Sequence, residues 1–426
     1  MDKETTRVVQ SRALGKSDTL ALGINGVIGS GIFFLPSVGH KLLGPAAILS
    51  TLLAGVLAWM IASAFGSVAK GYSKNGGAYL YTRDHFGNWP GFVVGWMTWL
   101  VAVTSWGALL NALFLALGGL FSAVAEPGVK ELGMTVLVAL LVWVNIRGLT
   151  LGARFSTILT LLKATPLILL AILGFSDIEM TRFETFAPMG FNGFADATLL
   201  ILYAYVGFES LVVPASEISD AKSTLPRILP GLIVGVTILY LMLQTLCIGT
   251  LDGLADRANP ISDAASLALG DTVGVAFLWV SVVSVLGVNA GTALVTPRRL
   301  AALSEQGEAP RVLSRLHSRY GTPSYSIALT GGAALFFALS GSFKELALLS
   351  VVARFVQYLP TCWIAMVGAL RPENRDPALA FKAGIALLVS VALLMASDPS
   401  KLVAGALGIT VLSLAYLVFS RSRYSR

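Results

Sequence analysis

The chain has 426 residues, of which 55% are hydrophobic and only 12% are charged, and its mean hydropathy is +0.77. These values exclude a soluble protein with a large core and predict an integral membrane protein. The net charge of +7 does not indicate a nucleic-acid partner, because Lys and Arg in a membrane protein mainly reflect topology. The N-terminus lacks a short apolar region with a small-residue cleavage site, so we expect the first apolar segment to direct insertion.

Twelve apolar segments are long enough to cross a bilayer. In chain order, spans 1 to 12 cover residues 18–38, 45–69, 90–121, 132–147, 153–174, 194–214, 227–250, 272–302, 325–341, 345–370, 379–396 and 401–420. With twelve spans both termini lie on one side, and that side holds 22 of the 30 Lys and Arg residues, against 6 on the other side. The bias predicts cytoplasmic termini in a multi-pass protein of the cytoplasmic membrane.

Three connections between the spans are expected to be structured. Residues 72–87 resemble a short amphipathic segment on the cytoplasmic surface. Residues 259–270 open with Asn-Pro, which favours a helix over the outer mouth. Residues 305–323 are basic and cytoplasmic. The alternative for each is an ordinary solvated loop.

The most informative stretch is GINGVIGSGIFFLP at residues 23–36, with glycines at 23, 26, 29 and 31. Each glycine weakens a helix by roughly 1 kcal/mol relative to alanine, so we predict a break at Gly29-Ser30-Gly31. Backbone groups freed at membrane depth must be buried in protein or line a cavity. A helix restarting near Ile32 would present its positive dipole end to a small anion such as a carboxylate. The alternative is close helix packing through small residues.

Span 6 carries a second candidate break, because Gly207 is followed by Glu209 and Pro214. A carboxylate at membrane depth must face protein or water. Span 6 comes five spans after span 1, and two repeats of five spans are necessarily inverted relative to each other. Interrupted segments at corresponding places in two halves indicate a transporter binding site.

Several motifs spread over nearly 350 residues carry a family resemblance. They are GVIGSGIFFLP in span 1, GGAYLY after span 2, YAYVGFES in span 6, the segment from Glu217 to Pro226-Arg227, EQGEAP after span 8 and ARFVQY in span 10. On these motifs the chain resembles the amino acid-polyamine-organocation superfamily of amino acid permeases. Lys74-Asn75 departs from the proline and small residue often found there in the family.

The resemblance implies an all-α fold of the LeuT type. Two inverted repeats of five helices, at residues 18–174 and 194–370, would contain the broken helices 1 and 6. Helices 11 and 12, at 379–420, would be additions to the repeats. Cytoplasmic tails would cover residues 1–17 and 421–426.

The resemblance also implies an α-amino acid bound between spans 1 and 6. Its carboxylate would meet the N–H groups of Ser30, Gly31 and Ile32, and its ammonium the carbonyls of Val27, Tyr203 and Val206. Tyr203 and Tyr205 would form part of an outer lid or, alternatively, pack as ordinary core residues. The side-chain pocket would draw on spans 3, 6, 8 and 10, with candidates Trp99, Val103, Trp106, Phe208, Val285, Asn289 and Phe355.

Three charged residues are singled out at membrane depth: Lys163, Glu209 and Arg354. Lys163 in span 5 either snorkels or, by resemblance, replaces the bound ion of sodium-coupled relatives, tying span 5 to span 1 near Gly23 and to span 8 near Gly291-Thr292. In that place it would be structural or would exchange a proton. Glu209 either braces the broken helix or is a proton site. Arg354 is expected to pair with a carboxylate or with carbonyls.

These features predict a sodium-independent secondary transporter of α-amino acids, working by proton-coupled symport or by exchange. A neutral substrate is favoured, because no further intramembrane acid is placed to bind a cationic side chain; a cationic amino acid or polyamine antiporter is the alternative. A channel and a transport-dead sensor are rivals from other classes. No enzyme motif, cofactor, metal site or ATP-binding element is expected. The expected partners are the substrate, the bilayer and candidate coupling protons, around a monomer or weak homodimer.

Overall fold

The computed structural model describes residues 14–148, 153–397 and 399–424. The described residues form α-helices joined by short 3₁₀ turns, without a β-strand. In chain order, the helices are α1 (Lys16–Val27), α2 (Gly31–Leu43), α3 (Ala47–Ala69), α4 (Ala78–Phe86), α5 (Asn88–Leu120), α6 (Val129–Ile146), α7 (Ala153–Leu173), α8 (Phe194–Leu202), α9 (Ala221–Thr250), α10 (Pro260–Leu269), α11 (Asp271–Glu305), α12 (Ser324–Ser340), α13 (Phe343–Leu370), α14 (Pro377–Ala396) and α15 (Pro399–Tyr424).

Within the described residues, eight helical segments are long and apolar enough to cross a membrane. They are Gly31–Ala69, Asn88–Leu120, Val129–Ile146, Thr157–Asp177, Ala221–Thr250, Asp271–Glu305, Phe343–Leu370 and Pro377–Ala396, and shorter apolar helices cover 194–205, 324–340 and 405–417. Each of the twelve segments predicted from hydropathy overlaps one or more of the helices. The all-helical architecture is that of a multi-pass membrane protein.

Two of the three connections contain helices, and the helix predicted for residues 259–270 is confirmed. Residues 78–86 form α4 after the second predicted span, and α10 begins at Pro260, as the Asn-Pro signal indicates. The basic connection 305–323 contains only a short 3₁₀ turn at Arg311–Ser314. Most of the expected tail 1–17, and the last two residues, lie outside the described residues.

Helix α5 is the central element of the fold. It packs against α11, α12 and α13, and 78% of its most apolar stretch is buried, compared with 17% for α6. A helix that is hydrophobic all round belongs in the interior, whereas α6 presents its apolar side chains to the lipid. Helices α1, α2 and α8, which flank the predicted breaks, are enclosed by α3, α7, α9 and α13.

Candidate functional site

The first predicted break is present. Helix α1 ends at Val27 and α2 begins at Gly31, so Ile28, Gly29 and Ser30 interrupt the span. The Gly29 N–H donates to the Val27 carbonyl at 2.8 Å, which closes a tight turn in place of a helical bond. Ser30 occupies the N-cap position of α2.

The second predicted break is present as well, and it is longer than the first. Helix α8 ends at Leu202 and is followed by a 3₁₀ turn over Tyr203–Tyr205. Gly207 then adopts a positive φ of 115°, a conformation that favours glycine. The chain resumes as a 3₁₀ turn over Phe208–Val212 rather than as an α-helix.

The two breaks pack directly on each other. A Cβ atom at Gly207 would lie 2.5 Å from the carbonyl oxygen of Gly26. A Cβ atom at Gly31 would lie 2.6 Å from the Cα atom of Ala204. Neither position has room for a side chain. The glycines therefore serve both interpretations of the sequence: they interrupt the helix, and they allow close backbone approach.

Lys163 binds the end of α1. The side chain is 1% exposed, and its Nζ donates to the carbonyl oxygens of Asn25 at 2.8 Å and of Ile28 at 2.5 Å. The contact with span 1 begins two residues after Gly23, in the last turn of the helix, where carbonyls lack intrahelical donors. From span 8, Ser284 rather than Gly291-Thr292 reaches this point, with Oγ 3.5 Å from the Ile28 oxygen.

Other carbonyls at the breaks also have donors. The Tyr240 hydroxyl lies 3.3 Å from the Val27 oxygen and 3.0 Å from the Ala204 oxygen. Together with Gly29 N–H, this gives the Val27 oxygen two donors, so this carbonyl is less available for an ammonium group than the sequence suggested. The Tyr203 oxygen accepts a long bond, 3.4 Å, from the N–H of Val206 in the same turn.

Glu209 is the charged centre of the second break. Its carboxylate accepts the Gly207 N–H at 2.9 Å, the Arg354 Nε–H at 2.9 Å and the Tyr358 hydroxyl at 3.3 Å. The side chains of Glu209 and Arg354 are only 5% and 7% exposed, so this is a buried ion pair. Arg354 also donates to the Ser350 carbonyl at 3.2 Å. The motifs YAYVGFES and ARFVQY thus meet at this carboxylate.

An aromatic cluster surrounds the same point. Phe208 stacks on Tyr358 with ring centroids 5.9 Å apart, and Phe65 meets both rings edge-on. Phe355 packs against Tyr358 at 6.0 Å. The predicted pocket residues Phe208 and Phe355 therefore lie together beside the second break. Tyr358 was missed, although the ARFVQY motif contained it.

The three predicted residues of α5 lie on one face of that helix. Trp99 Nε1 donates to Thr330 Oγ1 on α12 at 3.1 Å, so the Trp99 side chain contacts α12. Val103 and Trp106, four and seven residues later, share this face because of the helical period. Ser105 lies on another side of α5, and its Oγ is buried without a hydrogen-bond partner among the described residues.

On α11 the residues that reach the first break were also missed. Val288 lies 3.8 Å from the Cβ position of Gly29, one residue before the predicted Asn289. Asn289 instead donates from Nδ2 to the carbonyls of Leu109 on α5 and of Val285, at 3.1 and 2.9 Å. The predicted residues Val285 and Asn289 lie at the α5–α11 interface. The residues of α11 that reach the first break, Ser284 and Val288, each come one position earlier.

The two sides of the breaks differ in exposure. On the side away from the termini, Tyr203 and Phe34 both pack edge-on against Phe343 at 5.7 Å, and all three rings are buried. Ser30 and Ile32 are buried as well, and Ser30 lies next to the Tyr203 hydroxyl. Tyr205 is buried and donates to the Thr51 carbonyl at 3.1 Å, as a packing residue does. On the terminus side, Gly26, Val206, Gly207 and Ser210 are half-buried.

Comparison with known proteins links this geometry to transport. Residues 14–419 match the family model described as amino acid permease. A protein of Mycobacterium tuberculosis named as an uncharacterized transporter is 30% identical over 92% of this chain and 89% of its own length. Two Bacillus subtilis proteins are each 24% identical: the branched-chain amino acid permease BcaP, over 90% of this chain and 86% of its own, and the methylthioribose transporter, over 81% and 79%.

Proposed function

The chain belongs to the amino acid permease family, and we propose that this transporter moves neutral α-amino acids across the cytoplasmic membrane by alternating access. The proposed fold has twelve spans with cytoplasmic termini, two inverted repeats of five helices, and α14 and α15 as the two additional spans. The observation that carries the proposal is the contact between two broken helices, Gly26 against Gly207 and Gly31 against Ala204. Such paired breaks are typical of secondary transporters.

The proposed site uses backbone groups of both breaks. The start of α2 at Gly31 offers N–H groups and a positive dipole end to the substrate carboxylate, through Ser30, Gly31 and Ile32. The ammonium group would bind the carbonyls of Tyr203 and Val206, since the Val27 oxygen already has two donors. Phe208 and Phe355, which lie beside the second break, are the proposed contacts of the substrate side chain.

A neutral amino acid fits the charge of the site better than a cationic one. Glu209 is the carboxylate beside the breaks, and Arg354 already neutralises it. A cationic side chain would therefore lack a free counter-charge. The name of BcaP supports an apolar amino acid. Methylthioribose, the substrate in the name of another relative, is the second candidate, but it has neither the carboxylate nor the ammonium that the two breaks complement.

Coupling is proposed to need no sodium. The Lys163 ammonium binds the carbonyls at the end of α1, where a bound cation would otherwise stabilise the break. If Lys163 stays protonated and bound throughout the cycle, the protein works as an exchanger or a uniporter. If Lys163 loses its proton during the cycle, the protein works as a proton-coupled symporter.

Uptake by proteoliposomes tests this proposal. The panel comprises labelled neutral, cationic and acidic amino acids and methylthioribose, each without sodium. Each compound is measured with and without an inward proton gradient, and with unlabelled compound inside. Lys163→Met is compared with Thr160→Val, which removes the neighbouring hydrogen bond from Thr160 to the Ala21 carbonyl, 2.9 Å in length, but keeps the ammonium.

We expect uptake of neutral amino acids that falls at least tenfold in Lys163→Met and less than threefold in Thr160→Val. Uptake driven by the gradient would identify symport, and uptake requiring internal substrate would identify exchange. Transport of methylthioribose alone would refute the amino acid assignment. Strict sodium dependence would refute the role given to Lys163.

A further inference from the structure

A basic and aromatic patch lies where the end of α6 meets the connection before α12. The Thr322 hydroxyl donates to the Ile146 carbonyl at 2.6 Å. The Cβ position of Gly148 is 3.6 Å from the Tyr320 carbonyl oxygen. These contacts bring two short segments, residues 143–148 and 317–322, to one rim of the protein. We call Trp143, Arg147, Arg319 and Tyr320 the rim patch.

The rim patch carries positive charge without counter-charge. Arg147 lies over the ring of Trp143 at 4.2 Å, and Arg319 lies over Tyr320 at 5.4 Å. Both arginines are exposed, and neither forms an ion pair with a carboxylate in the part of the chain that the structure describes. Residues 143–148 and 309–323 contain no Asp or Glu. Trp and Tyr beside Arg are typical of the bilayer interface.

Two apolar ridges lead away from the rim patch along α6 and α12. On α6 the exposed side chains recur on one face at Leu132, Val136, Leu140 and Trp143, and on α12 at Tyr325, Leu329, Phe336 and Leu339. The helices touch where Gly331 packs on Val142. The next residue, Gly332, is exposed, and its Cβ position has no atom within 4 Å. The α12 ridge therefore has a gap between Leu329 and Phe336.

We propose that the rim patch and the gap at Gly332 form a binding site for an anionic phospholipid. The two guanidinium groups bind the phosphate, for which arginine provides paired N–H donors. Trp143 and Tyr320 lie at the headgroup level, and an acyl chain fills the gap in the α12 ridge. Charge complementarity selects an anionic lipid, since an exposed cationic pair near a leaflet attracts anionic headgroups. This site is independent of the transported substrate.

Lipid-dependent thermal stability of the purified full-length protein in detergent tests the site. Phosphatidylglycerol and phosphatidylcholine are titrated separately, and inorganic phosphate is the headgroup-only probe. The variants are R147Q/R319Q and Gly332→Leu, which fills the gap without changing charge. The matched control is R371Q/R375Q, which removes two exposed arginines from another connection, between α13 and α14. Tm is measured without lipid first, so that a folding defect is seen separately.

We expect phosphatidylglycerol, but not phosphatidylcholine or phosphate, to raise the Tm of the wild type. One arginine strengthens binding to an anionic lipid surface by about fivefold, so the half-saturating phosphatidylglycerol concentration should rise about 25-fold in R147Q/R319Q. Gly332→Leu should weaken the response as well, and the control should match the wild type. The proposal would be overturned if R371Q/R375Q raised the half-saturating phosphatidylglycerol concentration as much as R147Q/R319Q. It would also be overturned if inorganic phosphate raised the Tm as much as phosphatidylglycerol.

Discussion

The two breaks are stabilised by groups of opposite charge. At the first break a cation binds carbonyl oxygens at the end of α1: the Lys163 ammonium donates to the carbonyl oxygens of Asn25 and Ile28. At the second break an anion binds a backbone N–H: the Glu209 carboxylate accepts from the Gly207 N–H. The end of a helix leaves carbonyl groups without intrahelical hydrogen bonds, and the start of a new helical turn leaves N–H groups without them.

The charges are also balanced differently. The Glu209 carboxylate is neutralised by Arg354 and bonded to Tyr358, so the second break contains a complete ion pair. The described partners of the Lys163 ammonium are neutral carbonyl oxygens. The second break is therefore expected to be a fixed structural element. The first break is expected to depend on one cation, which makes it the more suitable place for coupling.

The largest predicted effect comes from removing Arg354. Arg354→Gln leaves the Glu209 carboxylate buried without its cation, and breaking a buried pair in this way costs about 3–5 kcal/mol of folding free energy. Thermal unfolding in detergent should show a marked loss of stability. The double variant E209Q/R354Q removes both charges and should recover more than half of the loss. Wild-type stability in Arg354→Gln would show that the ion pair does not hold the second break.

Alanine substitutions at two neighbouring glycines separate packing from flexibility at the first break. Gly31→Ala places a methyl group 2.6 Å from the Ala204 Cα atom, which should cost about 1–3 kcal/mol as overpacking and abolish uptake by separating the breaks. Gly29→Ala meets Val288 only at 3.8 Å and should change stability by less than about 0.5 kcal/mol. Unfolding and uptake of both variants check the difference, and equal effects would contradict the close contact.

A smaller loss of stability than that of Arg354→Gln is predicted at Tyr358. Tyr358→Phe removes the hydroxyl 3.3 Å from Glu209 and keeps the ring that stacks on Phe208. Loss of one hydrogen bond to a charged group should lower the free energy of unfolding by about 1–3 kcal/mol. The loss should be near the lower end of this range, because the bond is long. Stability should fall far less than in Arg354→Gln, while uptake is retained. A loss as large as that of Arg354→Gln would show that the Tyr358 hydroxyl contributes as much as the Arg354 guanidinium to holding the carboxylate, which contradicts the prediction.

The positions of the helices and breaks could be predicted from the sequence, because hydropathy and glycine content are local properties of the chain. Gly29-Ser30-Gly31 and Gly207 could be identified as interruptions without knowledge of any neighbour. The connections at 78–86 and 260–269 were likewise predictable from short-range patterns. Lys163 and Glu209 could be singled out because charge is rare and costly at membrane depth.

The groups that these residues bind, and the helix faces that meet, depend on the packing of the folded protein. Glu209 and Arg354 are 145 positions apart, and no local pattern specifies such a pair. The identity of the Lys163 partners, the carbonyls of Asn25 and Ile28, depends on where α1 ends against α7. Helix rotation decided which side chains meet which neighbours: Trp99 of α5 contacts α12, and Ser284 and Val288 of α11 lie at the first break. One residue of register moves a side chain by 100°, and that rotation is set by packing against several neighbours at once.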